Sequence, residues 1–169
     1  LLNSLACALL DAGLENDAFL ARRTEGVAEL RAFLAEYRPE AAEAITGVPA
    51  ALVRRAAHMW GHAERPYQAH GLGMTEHYQG TEGVMLLCNL SLLVGGIGRE
   101  GVGMNPLRGQ NNVQGAADMG CQPDLLTGYG DPNDSAVRER FERIWGRPLP
   151  TQAGLTIPRM YEAAARGEV

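Results

Sequence analysis

The sequence predicts an α/β chain, helix-rich with few parallel strands, and three observations predict it. Apolar residues recur at helical spacing through residues 1 to 64. A short segment bounded by proline and glycine, Pro66 to Met74, reads as a strand. It leads into an apolar helical stretch from Val84 to Val94, and a strand followed by such a helix is the start of a crossover to a parallel neighbour.

The elements follow in order. Leu2, Leu5, Leu9 and Leu10 make one helical face, Leu30, Phe33, Leu34 and Tyr37 a second, and Leu52, Val53, Ala56, Met59 and Trp60 a third. Pro39 and Pro49 break this layer; Asp17, Thr24 and Pro49 suit helix starts, and Gly13 and Gly47 suit stops. Only Asn89 and Ser91 are polar between Val84 and Val94, which predicts a helix buried on most sides. It is too short for a bilayer, which needs roughly 20 residues. Gly95 and Gly96 end it. Residues 98 to 133 are dense in Gly, Asn, Gln, Asp and Pro and predict a long irregular stretch, with one short helix between Asn111 and Met119. Val137, Phe141, Ile144 and Trp145 then share a helical face behind Asp134 or Ser135 as cap. Pro148 and Pro150 make an extended link, and a last helix starts near Ile157 or Pro158.

A net charge of -5 over 169 residues excludes the broad basic surface of a general nucleic-acid binder or of a protein held on anionic membranes. Cys7, Cys88 and Cys121 are far apart and offer neither a disulfide framework nor a thiolate cluster, so a reducing, cytoplasmic setting is expected. The chain opens Leu1-Leu2-Asn3-Ser4 and closes on a helix running into Gly167, and it reads as the middle of a longer polypeptide.

One segment stands out chemically. Asn105-Pro106-Leu107-Arg108-Gly109-Gln110-Asn111-Asn112-Val113-Gln114-Gly115 concentrates amides, glycines and one arginine, which make poor core material and a good polar surface. Its amides donate and accept, and Arg108 offers a planar cationic fork suited to a carboxylate or phosphate. The bland alternative is a hydrogen-bonded surface loop. Other motifs carry less. Gly96-x-Gly98-x-x-Gly101 has a dinucleotide spacing, but a helix precedes it where a strand is required. His58 and His62 share a helix face without a third ligand, so they read as solvated or capping groups, and no metal ligand set is assigned. His70 and His77 bracket the predicted strand end, where a parallel strand presents ligand-facing groups. Arg138, Arg140 and Arg143 alternate with Glu139 and Glu142 as a solvated face, and Arg22 and Arg23 read the same way. Cys121 has no histidine near it in sequence and reads as an idle thiol.

Taken with Gly71-Leu72-Gly73-Met74-Thr75-Glu76-His77, Leu92-Leu93-Val94-Gly95-Gly96-Ile97-Gly98, Ala116-Ala117-Asp118-Met119-Gly120 and Phe19-Leu20-Ala21-Arg22-Arg23-Thr24-Glu25-Gly26, the amide run resembles the catalytic alpha subunit of molybdopterin-dependent formate dehydrogenases, within the wider molybdopterin oxidoreductase superfamily. The likeness covers nearly the whole chain. It implies a fragment of a multidomain α/β molybdopterin oxidoreductase. Residues 1–109 would be the C-terminal part of a Rossmann-like α/β domain, and residues 110–169 the start of a re-entrant second one. It implies two-electron oxidation of formate to carbon dioxide, at molybdenum or tungsten held between two molybdopterin guanine dinucleotides. Electrons would leave through a four-iron, four-sulfur cluster bound outside this segment.

In residue terms, the resemblance implies that Arg108 grips formate beside the metal, and that Leu72, Gly73, Thr75, Glu76, Gly109 and Gln110 contact the pterin cofactor. Relatives commonly carry glutamine at position 76, so Glu76 adds a negative charge beside an anionic cofactor, and Ala117 stands where cysteine is frequent. The cluster-binding cysteines, the metal-ligating cysteine or selenocysteine with its neighbouring histidine, and the closing C-terminal domain have no counterpart in this chain. The expected partners are formate, the remaining segments of the polypeptide and electron-transfer subunits, without nucleic acid or membrane insertion, and the isolated piece is expected to be inactive. Two alternatives stay open: another superfamily member such as a nitrate reductase, or a non-catalytic assembly subunit that keeps the fold.

Overall fold

Helices α1 (Leu2–Asp11), α2 (Asp17–Arg23), α3 (Val27–Leu34), α4 (Pro39–Thr46) and α5 (Ala50–Gly61) fill the stretch that apolar spacing predicts to be helical. The computed structural model describes residues 1–169. These divide into two units, Leu1–Leu107 and Arg108–Val169.

In the first unit α1 is the central helix, packed against α3, α4, α5 and the later helix α7 (Gly80–Leu93). Its alanines Ala6 and Ala8 leave little side chain between backbones, and Leu9 is fully buried among Leu20, Leu34, Val53, Ala57, Leu90 and Leu93. Burying one such leucine contributes roughly 1.5–3 kcal/mol. The helix ends follow capping chemistry. Asn16, not Asp17, caps α2: its Oδ1 accepts from the Phe19 N–H at 3.0 Å, which leaves Asp17 in the first turn, where a carboxylate suits the helix dipole. Thr24, expected to start a helix, instead ends α2. Its backbone is extended and its hydroxyl donates back to the Leu20 carbonyl at 2.7 Å, so α3 begins only after Gly26. Pro39 opens α4, where its missing N–H loses nothing.

The predicted strand is β1 (Tyr67–His70); it ends earlier than Met74 because Leu72–Thr75 turn into a single helical turn, α6. Helix α7 then crosses to β2 (Gly103–Pro106), which pairs with β1 in parallel, Tyr67 opposite Gly103 and His70 opposite Pro106. This corrects the expectation of an irregular stretch over residues 98 to 133, since its first part is a strand. Burial of α7 is less complete than its apolar run predicts: Leu87, Leu90 and Leu93 are buried, but Met85 is 60% exposed. Its end is a Schellman stop. The Gly96 N–H reaches the Ser91 carbonyl at 2.7 Å and the Gly95 N–H reaches that of Leu92 at 3.0 Å, with Gly95 at φ +63, a conformation that favours glycine.

The ladder in β2 has a polarity. The N–H groups of Gly103 and Leu107 donate to the carbonyls of Pro66 and His70, at 3.4 and 2.7 Å. With a two-residue repeat, the nitrogen of Pro106 therefore faces away from β1, the side on which a missing donor breaks no bond of this pair.

The second unit contains α8 (Val113–Asp118), α9 (Ser135–Trp145), α10 (Ile157–Ala165) and one antiparallel bridge between Leu126 and Gly130. Asp134 is the cap of α9, its Oδ1 accepting from the N–H groups of Ala136 and Val137, and Gly146 ends that helix. Only Pro132 and Ala163 are buried in this unit. Ile157 and Tyr161 are 70% and 76% exposed, and Ile144 is 62% exposed.

Candidate functional site

Two stretches carry the singled-out residues, one in each unit. In the first unit, β1 delivers the chain to its C-terminal edge at His70, where Gly71 is extended and α6 begins. The half-buried Met74 side chain lies against Gly83 of α7 and pins the turn. Leu72, Gly73, Thr75 and Glu76 are left exposed. A side chain added at Gly73 would meet open space, so the backbone there is accessible to a flat molecule. The side chains of Thr75 and Glu76 make no hydrogen bond or ion pair within the protein. Gly80 is needed for α7 to start beneath this turn, because any side chain there would collide with the Thr75 carbonyl.

The second stretch opens the other unit. Arg108 is bonded to Leu107, whose N–H closes the β1–β2 ladder, so the strand's geometry decides where the chain leaves the sheet. Arg108, Gly109 and Gln110 are exposed, and the guanidinium takes part in no ion pair. Asn112 then adopts a left-handed backbone, φ 51, as the residue preceding α8, and its side chain lies under Gly115.

A side-chain network secures α8. Gln114 Nε2 donates to Asp118 Oδ1 at 3.1 Å and to the Tyr129 hydroxyl at 2.9 Å, while Tyr129 donates to the same Asp118 oxygen. The Tyr129 hydrogen bond, followed by that from Gln114, holds the Asp118 carboxyl below the usual carboxylate range. The same bond to Asp118 raises the Tyr129 phenol, and the charge of Arg108 acts the opposite way on it. Tyr129 also has φ 61, unusual for a bulky residue. The amide spacing in the sequence suggests none of this, because the closing member comes from a separate turn.

His58 of α5 and His62, the residue just past its end, stack at 5.8 Å between ring centroids, and no group of three or more His, Cys, Asp or Glu side chains is arranged to hold a metal ion. His77 is exposed between α6 and α7. His70 is buried on the face of β1 that also carries Gln68, and its Nδ1 has no partner; Gln68 Oε1 accepts from the Ser91 hydroxyl at 3.2 Å. Cys121 is an exposed free thiol, and burial followed by the neighbouring Asp11 pushes the Cys7 thiol up. Arg138 pairs with Glu142 at 4.0 Å along α9.

No family model matches the chain. Individual proteins do. Formate dehydrogenase H of Escherichia coli is 44% identical over 170 residues, covering 100% of this chain and 24% of its own length. The F420-dependent formate dehydrogenase subunit alpha of Methanocaldococcus jannaschii is 39% identical over 98% of this chain and 24% of its own. The F420-dependent formate dehydrogenase 2 subunit alpha of Methanococcus maripaludis is 38% identical over 97% of this chain, again 24% of its own. The chain thus spans about a quarter of the length of the curated relatives it matches. No helix is long and apolar enough to cross a membrane. Along 97–100% of its length, this chain is 38–44% identical to a segment of proteins named as formate dehydrogenases.

Proposed function

We propose that the chain is part of the catalytic subunit of a molybdenum or tungsten formate dehydrogenase, inactive by itself, and that Arg108 is its substrate clamp. The observation that carries this reading is the exposed, unpaired guanidinium of Arg108 in an amide-rich loop, in a chain whose relatives are named for formate. Formate is a carboxylate with one C–H bond. A guanidinium can hold both of its oxygens with two parallel N–H donors, which fixes the carbon and aims the C–H bond. Oxidation releases carbon dioxide, one proton and two electrons. Carbon dioxide is neutral, so the ion pair that holds the substrate vanishes with the charge, and Arg108 favours substrate over product.

When bound, a bis-molybdopterin guanine dinucleotide with its metal supplies the acceptor for the two electrons. The residues present fit such a group in part. Gly73 leaves room for close backbone approach, Gly109 puts no side chain between Arg108 and Gln110, and the Gln110 amide can both donate and accept at a pterin edge. Leu72 is 45% exposed and offers apolar contact, and the Thr75 hydroxyl is free. Glu76 can only accept when ionised, so it suits a cofactor N–H and disfavours a phosphate. In this reading Leu1–Gly109 completes one Rossmann-like domain and Gln110–Val169 begins another. The four-iron cluster and the contacts to electron-transfer subunits lie in other segments, and three separated free thiols support a reducing, cytoplasmic setting.

The test is made on the full-length protein. Arg108→Ala is expected to lower kcat/KM for formate by about 10²–10³, in line with the ~2–5 kcal/mol lost when one partner of a desolvated charge pair is removed. Arg108→Lys should recover only part, because an ammonium lacks the fork. Full turnover in the alanine variant, or no molybdenum or tungsten in the active protein, overturns the reading.

A further inference from the structure

The edge of the first unit away from Gly71–Glu76 carries a concavity. Its walls are α2 and the turn that follows α7, and it encloses about 590 Å³. That turn packs on the residues preceding β1: Gly96 lies beside Pro66, and Arg99 donates to the Glu64 carbonyl at 3.4 Å. The cleft is therefore at the N-terminal edge of the parallel pair, and the candidate site residues Leu72 to Glu76 lie at the C-terminal edge.

Its chemistry is sharply divided. Phe19, Leu92 and Ile97 give it an apolar wall, while Arg22, Arg23 and Arg99 supply positive charge. None of these three arginines forms an ion pair, and none of the residues lining the cleft is acidic; Glu25 lines the adjoining surface beside Arg22 and Arg23. Arg22 is tied by its Nε to the Ala18 carbonyl at 2.9 Å, and Arg99 by two long bonds to the Glu64 and Gly95 carbonyls, so their remaining N–H groups are free. In a chain of net charge -5, three unpaired guanidinium groups around one cleft are a local reversal of the overall field. Phe19, Arg22 and Arg23 fall at positions i, i+3 and i+4 of α2, on the one face of that helix that meets the cleft.

We propose that this cleft binds a phosphate-bearing small molecule with a flat apolar body, of the nucleoside phosphate class. Guanidinium forks match phosphate oxygens, and three of them suit a multiply charged anion. The volume exceeds what a bare phosphate needs and falls within the several hundred Å³ typical of small-molecule sites, and the Phe19, Leu92 and Ile97 wall gives the rest of the ligand an apolar seat. The proposal does not depend on the formate reading.

The experiment is calorimetric titration of the full-length protein with ADP, and separately with inorganic phosphate. ADP is expected to bind, with affinity falling at least about tenfold in R22Q/R23Q and in R99Q. Phe19→Ala should weaken ADP while leaving inorganic phosphate unaffected. Because Arg22 and Arg23 are exposed, R22Q/R23Q should keep the parent melting temperature and formate turnover, which makes a loss of ADP binding specific. No ADP binding, or unchanged ADP affinity in both arginine variants, overturns the proposal. Inorganic phosphate binding as tightly as ADP overturns the nucleoside part. Loss of a co-purifying subunit from R22Q/R23Q, with ADP never bound, makes the cleft a protein-docking surface and likewise overturns it.

Discussion

The two units solve the problem of order differently. Leu1–Leu107 has an apolar core in which Leu9, Leu34 and Leu93 are almost wholly buried. Arg108–Val169 has almost none, and what secures it is local: the Asp134 cap, the Gln114–Asp118–Tyr129 network, and the Gly154 N–H on the Pro123 carbonyl. The difference teaches where each kind of residue is affordable. A left-handed Tyr129 is tolerated where local hydrogen bonds, not a core, hold the chain, and a buried leucine cluster forms where helices pack on one another. The exposed Ile157, Met160 and Tyr161 of α10 are a further sign that apolar surface in the second unit exceeds what its own fold covers.

That contrast can be broken by experiments on the full-length protein. The largest effect expected is functional and belongs to the second unit: on the proposed function, Arg108→Ala lowers kcat/KM for formate by about 10²–10³ while leaving the unfolding midpoint unchanged, since the side chain has no partner to lose. A parallel drop in stability would show that the loop is structural. The largest effect on stability belongs to the first unit. Leu9→Ala should cost about 2–5 kcal/mol by denaturant titration, because the buried site between α1, α5 and α7 cannot collapse around the void. In the second unit Asp134→Ala should cost only about 1 kcal/mol, the usual worth of an N-cap, and should show as faster amide exchange confined to α9. If Asp134→Ala matched Leu9→Ala, the second unit would be far more cooperative than its packing implies.

The smallest effect is a pH dependence. Asp118 is held below its ordinary value, so its contribution is present above the unfolded carboxylate range and is lost as pH falls through the lowered folded value. Tyr129 is raised, so its contribution is present below the ordinary phenol value near 10 and is lost as pH rises through the raised one. Protection of the α8 amides, taken relative to their intrinsic base-catalysed exchange, should therefore be highest across neutral pH and fall at both extremes, and Tyr129→Phe should flatten both limbs. Unchanged limbs in that variant would remove the network as the cause.

Much of this was legible in the residues. Periodicity located the helical layer through residue 61, and Pro66 and Gly71 bounded β1 closely. β2 was not legible, because Gly103-Met104-Asn105-Pro106 has no β-branched residue and forms a strand only through its partner. Thr24 misled because a threonine hydroxyl serves as well at the last turn of a helix as before its first. For the candidate site, the sequence offered Arg108 to Gln110 and Leu72 to Glu76 as a proposal, and the structure adds that these residues, the half-buried Met74 apart, are exposed. The tie from Gln114 through Asp118 to Tyr129 was hidden, since it joins two turns that no short-range pattern relates. The cleft was hidden for the same reason: Arg22 and Arg23 look like a solvated face until Arg99 is brought opposite them.

The nitrogen of Pro106 has one further consequence. If β2 slipped by a single residue against β1, that donorless nitrogen would turn toward a β1 carbonyl and every side chain of the strand would change face. The pairing is thus locked by what proline lacks: the nearest register that keeps every face and spares that nitrogen lies two residues away, about 6.6 Å along the strand. Insertions and deletions between Gly95 and Leu107, more than substitutions there, are the changes to which this part of the molecule is least forgiving.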